Sequence, residues 1–319
     1  MPDSDDDGVL DLEVVQLRRE SESVLSVTLA DPERALLPTW TPGAHLDVTL
    51  PGCIRQYSLC GNPTDRRSYR VAVLREPQSR GGSAFVHDEL RPGDLLEVGG
   101  PRNLFEFVDA PSYLFVAGGI GITPIVAMAR AADAAGKDWR LVYGGRSRRS
   151  MAFAEELTAA YGDRVQLFPE DEFGQLDLPT MLRRVVDDQL VYACGPEALL
   201  SAVETQSAHW PASSLHVERF MARPADQNLV NRGFVAECHR SGVEVEVAAT
   251  DSVLEALDHA GIAVANACRD GVCGSCETPV LAGEIDHRDS ILTAAQRAQG
   301  DRMLICVSRA AGSRLVLDV

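Results

Sequence analysis

The feature that most constrains this chain is a set of four cysteines near its C-terminus. Three of them lie within residues 266–276 with the spacing C-x4-C-x2-C, and the fourth lies far downstream: Cys268, Cys273, Cys276 and Cys306. Four thiolates so spaced can surround a pair of irons, as a 2Fe–2S cluster requires. Gly271 and Gly274 lie between ligands, where the loop must turn tightly and its N–H groups can point at the cluster sulfurs.

Three other interpretations of these cysteines compete with the iron–sulfur one. A zinc site usually pairs two C-x2-C units, whereas here the fourth cysteine stands alone. A disulfide framework is typical of small secreted chains, and nothing in this sequence indicates secretion. Four unrelated buried cysteines would keep this spacing only by accident. The pattern therefore favours a 2Fe–2S cluster with plant-type ligand spacing.

Length and charge limit the possible functions. The 319 residues allow two or three domains. No apolar run approaches the roughly 20 residues that span a bilayer, so no membrane segment is expected. The acidic residues 1–8 are predicted to be a disordered tail of the wrong sign for a signal peptide, which predicts a cytoplasmic protein. The net charge of −17 argues against nucleic acid as a partner; it could steer a basic protein or serve solubility alone.

Residues 9–109 alternate short apolar strands with turn residues, which predicts an antiparallel β-barrel. Two stretches in this region carry chemistry. On a strand over 55–59, Arg55 and Tyr57 share one face, where a cation and an aromatic ring can hold a phosphate and cover a flat ring. The glycines of 80–83 precede a short helix whose first N–H groups can meet a phosphate. Taken alone, each stretch is more often a plain strand or turn.

Residues 110–222 alternate strands with helices, which predicts βαβ units and a parallel sheet. The glycine loop 118–124 lacks the G-x-G-x-x-G fingerprint, yet its small residues can admit a pyrophosphate to a helix N-terminus. A structural βα turn is the alternative. Cys194 ends a later strand at the carboxyl edge, where open α/β sheets bind ligands. Arginines at 146–149 could accept the 2′-phosphate of NADPH, so local chemistry leaves NADH and NADPH both open.

Residues 223–232 have no hydrophobic period and are predicted to be a linker. In the remaining region, 233–319, two alternating strands flank Ser241-Gly242 as a hairpin. A helix follows, for which Thr250 or Asp251 is the expected N-cap. The cysteine loop and three further strands, at 278–281, 303–307 and 314–317, complete the pattern of a small β-grasp domain.

The order of barrel, nucleotide region and C-terminal cysteine region resembles the phthalate dioxygenase reductase family, which includes vanillate demethylase and phenoxybenzoate dioxygenase reductases. The resemblance covers nearly the whole chain after the tail, and the segments that carry it are 55–59 (RQYSL), 118–124 (GGIGITP), 273–276 (CGSC) and 286–289 (DHRD). It implies a multidomain chain with three folded parts: an FMN-binding antiparallel β-barrel at 9–109, an NAD-binding α/β domain with a parallel sheet at 110–222, and a β-grasp plant-type 2Fe–2S ferredoxin domain at 233–319. The resemblance implies FMN rather than FAD, and no segment is clearly devoted to an AMP half.

The resemblance also assigns site residues. It implies a hydride-transfer centre at Ser58, Cys194 and Phe220, although an exposed aromatic at a domain junction is the plainer reading of Phe220. The implied FMN contacts are Arg55, Gln56, Tyr57, Ser58, Ala72, Val73, Leu74, Arg80, Gly81, Gly82, Ser83 and Phe220. The implied nucleotide contacts are Gly118, Gly119, Gly121, Thr123, Pro124, Arg146, Ser147, Cys194 and Gly195. The implied cluster ligands are the four cysteines already named.

These parts together imply an enzyme, the NADH-dependent reductase component of a Rieske-type aromatic-ring dioxygenase or O-demethylase. FMN links a two-electron hydride donor to a cluster that carries single electrons. Plant-type clusters lie near roughly −400 mV and Rieske centres at about −150 to +300 mV, so transfer to a terminal Rieske oxygenase is downhill. NADPH stays possible as donor, and a monomer is expected for the free protein. Two rival functions stay open: a reductase that serves a haem monooxygenase or another redox protein, and a redox-sensing regulator, against which the flavin motifs argue.

Overall fold

The computed structural model describes residues 8–79, 81–211, 213–223 and 231–319. The chain forms two compact units, of which the first ends at Glu218 and the second begins at Arg219. Residues 1–7 of the predicted tail and 224–230 of the predicted linker lie outside the described residues. The division of the first unit near residue 109 and the linker bounds stay predictions.

The first sheet of the first unit is the predicted antiparallel barrel. Its strand order is β4-β3-β6-β1-β2-β5, and the pairing of Leu59 with Val71 closes the sheet between its two edges. The strands are β1 Leu10–Ser21, β2 Val24–Ala30, β3 Ala44–Leu50, β4 Cys53–Ser58, β5 Tyr69–Leu74 and β6 Leu95–Asn103, and helix α1 is Gly82–Asp88. Alternate strand residues point inward, so Leu12, Val14 and Leu46 are fully enclosed in the barrel.

The second sheet has five parallel strands in the order β11-β10-β7-β8-β9. The strands are β7 Ser112–Gly118, β8 Asp138–Gly145, β9 Val165–Pro169, β10 Gln189–Cys194 and β11 Leu215–Glu218. The helices are α2 Ile122–Ala134, α3 Ala154–Tyr161, α4 Glu170–Phe173, α5 Leu178–Leu182 and α6 Glu197–Gln206. The chain continues from β7 to β8 and β9 on one side, while β10 and β11 lie on the other side. The strand order therefore reverses between β7 and β10, where open α/β sheets bind their ligands.

The barrel and the parallel sheet share one buried core. Cys60 and Ala72 of the barrel pack in the same cluster as Phe115 and Tyr143 of the parallel sheet. Ala127 of α2 is in turn packed within the barrel core. Since packed interiors resist deformation, this shared core fixes the two layers against each other.

The second unit has the predicted β-grasp fold, with the strand order β13-β12-β18-β14-β16 and a separate β15-β17 pair. The strands are β12 Phe234–Cys238, β13 Val243–Val247, β14 Glu277–Ala282, β15 Ile285–Asp286, β16 Arg302–Leu304, β17 Arg309–Ala310 and β18 Arg314–Leu317, and the helices are α7 Val253–His259 and α8 Ala294–Gln299. The predicted cap of α7 at Thr250 or Asp251 is wrong. Ser252 is the N-cap and forms a capping box with Glu255, which satisfies two N–H groups at the start of the helix.

The elements that differ from the sequence prediction are short. Strands β11, β15 and β17 and helices α4 and α8 are not predicted, and the helix that the sequence predicts over 178–186 ends at Leu182 in α5. Each of these elements has too few residues to show a hydrophobic period. In the described part of the chain, no helix has the length and apolar character needed to cross a membrane.

Candidate functional site

The four predicted cluster ligands form two pairs in the second unit. Cys268 hydrogen-bonds to Cys273, which lowers the pKa of Cys273 and raises the pKa of Cys268. In the same way, the hydrogen bond between Cys276 and Cys306 lowers the pKa of Cys276 and raises that of Cys306. Within 8–79, 81–211, 213–223 and 231–319, no three His, Cys, Asp or Glu side chains group around a point that could hold one metal ion. Two pairs fit two irons, each held by two thiolates, as in a 2Fe–2S cluster.

The loop that carries these cysteines is tightly folded. Arg269, Gly271 and Gly274 all have positive φ values, of 57°, 71° and 73°. The N–H of Asp270 donates to Cys268 Sγ at 3.3 Å. This contact is of the kind that stabilises negative charge on ligand sulfurs, so the loop suits a cluster.

The predicted flavin strand 55–58 lies on β4, and its side chains have separate environments. Arg55 packs its aliphatic stem against Gly82, where a Cβ would lie 3.0 Å from Arg55 Cγ. Burial raises the pKa of the Tyr57 phenol, which keeps it neutral. Gln56 donates its amide to Asp47 Oδ1 at 2.8 Å, and Ser58 is buried. The structure thus brings Arg55 next to the start of α1, as a phosphate site would need.

The predicted phosphate turn lies at the start of α1. Gly81 has a φ of 106° and precedes the first helical residue, Gly82. Ser79 was not predicted, yet its Oγ accepts the N–H groups of Gly81 and Ala84 at 3.2 and 3.1 Å and the hydroxyl of Ser83 at 3.0 Å. The Ser79 hydroxyl therefore accepts hydrogen bonds at the start of the helix. The glycine pattern of the turn does not indicate this role of Ser79. Predicted contact Arg80 lies outside the described residues.

The other predicted FMN contacts lie on β5, next to α1. Ala72 and Val73 are buried, and Leu74 is half-buried. His87 of α1 forms a 2.9 Å hydrogen bond to the Val73 carbonyl through Nε2. His87 was missed by the sequence analysis because a lone histidine in a short helix gives no signal. It ties α1 to the strand that was predicted to face the flavin.

The glycine loop meets Cys194-Gly195 backbone to backbone at the point where the strand order reverses. A Cβ on Gly121 would lie 2.3 Å from the carbonyl oxygen of Cys194, and one on Gly118 would lie 2.6 Å from Leu199 Cδ2. A Cβ on Gly195 would lie 3.0 Å from the backbone of Gly118. Glycine is therefore required on both sides of this contact, and the two predicted nucleotide segments form one site.

Hydrogen bonds fix the shape of the glycine loop. Gly119 has a φ of 54° and begins a 3₁₀ turn over Gly119–Gly121. The hydroxyl of Thr123 donates to the Ile120 carbonyl at 3.0 Å, and the Tyr143 hydroxyl donates to the Gly119 carbonyl at 3.1 Å. Pro124 lies in the first turn of α2, where a helix N–H has no internal partner to lose. Tyr143 therefore also fixes the glycine loop. The sequence did not indicate this role, because Tyr143 lies in a buried strand.

The predicted ribose segment follows β8. Arg146 is exposed, and Ser147 forms a capping box with Ser150 over the next turn. Arg148 Nε donates to Glu172 Oε1 at 2.8 Å, so an acidic partner compensates one of the arginines. The Arg146 carbonyl also accepts the N–H of Asp171 at 3.2 Å. This segment therefore presents both basic and acidic side chains at the carboxyl edges of β8 and β9.

The predicted hydride-transfer residue Cys194 has an acidic neighbour that sequence reasoning missed. Cys194 Sγ lies 4.0 Å from Glu218 Oε2, across the parallel pairing of β10 and β11. Burial raises the pKa of Glu218 to about 8 and also raises the pKa of Cys194. Predicted residue Phe220 lies two positions beyond Glu218, in the second unit, and is 40% exposed. Glu218 went unnoticed because β11 itself was not predicted.

Comparison with protein families identifies two parts of the chain. Residues 236–311 match the profile of the 2Fe-2S iron-sulfur cluster binding domain, and residues 115–205 match that of the oxidoreductase NAD-binding domain. The first match contains all four paired cysteines. The second contains the glycine loop and Cys194-Gly195.

Whole-chain comparisons find relatives of similar architecture. The phenoxybenzoate dioxygenase subunit beta of Ectopseudomonas oleovorans is 42% identical over 94% of each chain. The crystal structure of phthalate dioxygenase reductase, described as a modular structure for electron transfer from pyridine nucleotides to [2Fe-2S], is 38% identical over 98% of each chain, with a TM-score of 0.73. An intact type IV self-sufficient cytochrome P450 monooxygenase is 46% identical with a TM-score of 0.92. That match covers 98% of this chain but only 41% of the P450 chain.

Proposed function

This chain belongs to the phthalate dioxygenase reductase family, and on that premise we propose that it passes electrons from NADH to the terminal oxygenase of a Rieske-type system. It is an iron–sulfur flavoprotein oxidoreductase, with FMN, a 2Fe–2S cluster and a nicotinamide nucleotide as cofactors. The observation that carries the proposal is the arrangement of the four cysteines as two thiol pairs.

In this proposal, residues of the barrel bind and orient FMN. Arg55 and the turn at Gly81-Gly82 hold the phosphate, since a guanidinium and the N–H groups at a helix start both favour an anion. Tyr57 covers the ring, and its neutral phenol adds no charge there. Support comes from the contact between Arg55 and Gly82, which puts the cation beside the helix start.

The nucleotide is bound in this proposal where the glycine loop meets Cys194-Gly195. The side chain of Cys194 and that of Glu218 border the nicotinamide, and both stay protonated because burial raises their pKa values. A neutral pair leaves no negative charge beside the position from which hydride departs. Ser58 is the other residue of the first unit in the proposed hydride-transfer centre.

When bound, FMN supplies the conversion of a hydride donor into single electrons, and the cluster supplies the one-electron exit. The chain's own contribution is to bind and orient each of these groups. Cys268 and Cys273 would hold one iron, while Cys276 and Cys306 would hold the other.

The decisive variant for this electron order is Cys273→Ser, assayed with two acceptors. Ferricyanide accepts electrons from the flavin directly, whereas cytochrome c reports exit through the cluster. We expect the variant to lose NADH-dependent cytochrome c reduction while it retains ferricyanide reduction. Equal loss of both activities, with FMN still bound, would contradict the proposed order.

A haem oxygenase is a second candidate acceptor. The observation that favours it is the 46% identity to part of a self-sufficient cytochrome P450 monooxygenase. Rieske and haem acceptors can be separated by reconstitution with a purified Rieske-type oxygenase and, in parallel, with a purified soluble P450. Coupled product formation with the Rieske protein alone supports the main proposal, and formation with the P450 alone supports the second.

NADH rather than NADPH is the proposed donor. The ion pair between Arg148 and Glu172 supports this preference, because it partly neutralises the basic segment that a 2′-phosphate would require. The ratio of kcat/KM for the two nucleotides tests it, and a preference for NADPH would reverse the assignment.

We also propose that the free protein is a monomer that works in the cytoplasm. Iron binding requires the cysteines to stay reduced, which a cytoplasmic environment supports. Sedimentation equilibrium of the holoprotein at micromolar concentration measures the oligomeric state, and a stable dimer would contradict this part of the proposal.

A further inference from the structure

The segment 286–289 places one carboxylate, that of Asp289, in the interior of the second unit, beside the cysteine loop. Strand β15, which begins the segment, pairs with β17, so that Asp286 lies opposite Arg309. Asp289, at the end of the segment, is only 3% exposed. The motif 286–289 is one of the segments that carry the family resemblance, yet none of its residues is assigned to hydride transfer or to cluster ligation. A buried carboxylate outside the ligand set requires its own explanation.

One oxygen of Asp289 organises the turn that follows it. Asp289 Oδ1 accepts the N–H groups of Ile291 and Leu292 at 3.1 and 2.7 Å. Arg297 of α8 approaches the same oxygen at 3.3 Å and donates to the Asp289 carbonyl at 2.7 Å. The carboxylate therefore links the turn 289–292 to α8, and the arginine compensates its charge.

The other oxygen of Asp289 faces a histidine. Oδ2 lies 3.6 Å from Nδ1 of His287, whose side chain is 10% exposed. Among the residues that the structure describes, this oxygen and both ring nitrogens have no hydrogen-bond partner. The neighbouring Arg288 is directed elsewhere, since its guanidinium donates to Asp286 Oδ2 at 2.6 and 2.8 Å. The imidazole therefore covers the second oxygen of Asp289, and Arg297 is the cation that pairs with the first.

The turn organised by Asp289 is bonded to both stretches that carry cluster ligands. The N–H of Ser290 donates to the carbonyl of Gly271 at 2.9 Å, and Gly271 lies between Cys268 and Cys273. On the other side, the N–H of Arg288 donates at 3.1 Å to the hydroxyl of Ser308, two residues after Cys306. Residues 288–290 thus fasten the cysteine loop to the turn that holds the fourth cysteine.

We propose that Asp289 is a positioning residue for the 2Fe–2S cluster, acting through the Ser290–Gly271 hydrogen bond. The fixed Gly271 carbonyl orients its own peptide group, whose Val272 N–H bonds to Cys268, and the preceding peptide group, whose Gly271 N–H bonds to Cys306. Outer-shell partners of this kind typically change metal affinity about 10- to 100-fold when removed. The inference rests on the cluster assigned above but assigns a role to residues that do not ligate it.

Two variants of Asp289 separate its hydrogen bonds from its charge. Asp289→Ala removes the acceptor, so the turn loosens and the holoprotein should release iron to a chelator about 10- to 100-fold faster than wild type. Asp289→Asn keeps an oxygen for the N–H groups of Ile291 and Leu292 but removes the negative charge. Its cluster should therefore keep its iron and have a less negative reduction potential than wild type.

The matched control is Asp286→Asn, which removes the same charge from the same motif. The Asp286 side chain is 31% exposed, and its carboxylate accepts hydrogen bonds from the guanidinium of Arg288, so solvent screens its charge. Its iron-release rate, cluster potential and EPR spectrum in the reduced state should match those of wild type.

The outcomes are distinct. Iron release from Asp289→Ala within twofold of wild type, or iron release from Asp289→Asn as fast as from Asp289→Ala, would overturn the inference. If Asp289→Ala does not fold, Asp289→Asn decides alone, because faster iron release from it than from Asp286→Asn would show that the charge, rather than the retained acceptor oxygen, holds the loop. Absence of iron from the wild-type protein would instead count against the proposed function, so the two failures can be told apart.

Discussion

Arg70 of the barrel and Glu156 of α3 form an ion pair at 3.4 Å that joins the two layers of the first unit. The same guanidinium donates to Glu20 Oε1 at 2.8 Å and lies 4.9 Å from the centre of the Phe153 ring. Arg130 of α2 pairs with the other oxygen of Glu156. Because β5 carries predicted FMN contacts and α2 follows the glycine loop, these ion pairs connect the flavin strand to the nucleotide helix.

Arg70→Met is expected to loosen this connection. It leaves the Glu20 side chain, which is only 3% exposed, without its nearest cation. We expect the free energy of unfolding to fall by about 2 kcal/mol, below the roughly 3–5 kcal/mol of a fully buried pair because Glu156 and Arg130 are partly exposed. The rate of hydride transfer should fall, and its primary deuterium isotope effect should rise. Both are measured by stopped-flow with NADH and deuterated NADH.

A neighbouring arginine provides the control for this variant. Arg18 also approaches Glu20, but at 3.6 Å and with a side chain that is 57% exposed. Arg18→Met should therefore change neither the unfolding free energy nor the isotope effect beyond experimental error. If the two substitutions had equal effects, the ion pair between Arg70 and Glu156 would contribute neither to the unfolding free energy nor to the rate of hydride transfer.

Gly121→Ala is expected to disrupt nucleotide binding. The added Cβ would lie 2.3 Å from the Cys194 carbonyl oxygen, a backbone atom that cannot rotate away. Overpacking of this kind costs about 1–3 kcal/mol, and here it separates the two segments of the nucleotide site. The KM for NADH should rise about tenfold or more, with FMN content unchanged. Gly312→Ala, whose Cβ would meet nothing within 4 Å, is the matched control.

Glu218 is expected to make stability depend on pH. Its folded-state pKa of about 8 is raised by burial, whereas an unfolded glutamate titrates near roughly 4.3. The folded state therefore holds the proton more tightly, so this contribution is fully present below about pH 4 and is lost as pH rises towards 8.

The measurement is the free energy of urea unfolding between pH 5 and pH 8. As pH rises over this range, the unfolding free energy of wild type should fall by about 2 kcal/mol relative to that of Glu218→Gln. This value is reduced to allow for partial solvent screening. The exposed Glu33→Gln should follow wild type at every pH. Parallel curves for wild type and Glu218→Gln would show that the Glu218 carboxyl titrates normally.

The sequence was most informative where chemistry demands a fixed spacing. The four cysteines form the two pairs that a plant-type cluster needs, and glycines 118, 121 and 195 meet where no side chain fits. The barrel, the parallel sheet and the β-grasp fold were predicted because their longer strands show a clear pattern of burial. The contributions to the site that were missed come from contacts between distant segments. Neither the 4.0 Å approach of Glu218 to Cys194 nor the bonds of Arg70 has a local sequence signal.

Gly271→Ala combines two costs that other variants can separate. Gly271 has a φ of 71°, and an added Cβ would lie 2.6 Å from Val307 Cγ2. Backbone strain alone costs about 1–2 kcal/mol for an alanine at positive φ, and the collision adds to it. We expect a folded protein with much less than stoichiometric iron.

Gly261→Ala and a second substitution at Val307 distinguish strain from collision. Gly261 has a φ of 78° with nothing within 4 Å of an added Cβ, so its alanine variant carries strain alone and should retain its iron. Gly271→Ala combined with Val307→Ala removes the two methyl groups nearest the new Cβ, and its iron content should recover in part. Iron content and the visible spectrum of anaerobically purified protein provide the measurement. If the double variant is as iron-poor as Gly271→Ala, the positive φ beside the ligands, rather than the packing against Val307, is what the loop cannot tolerate.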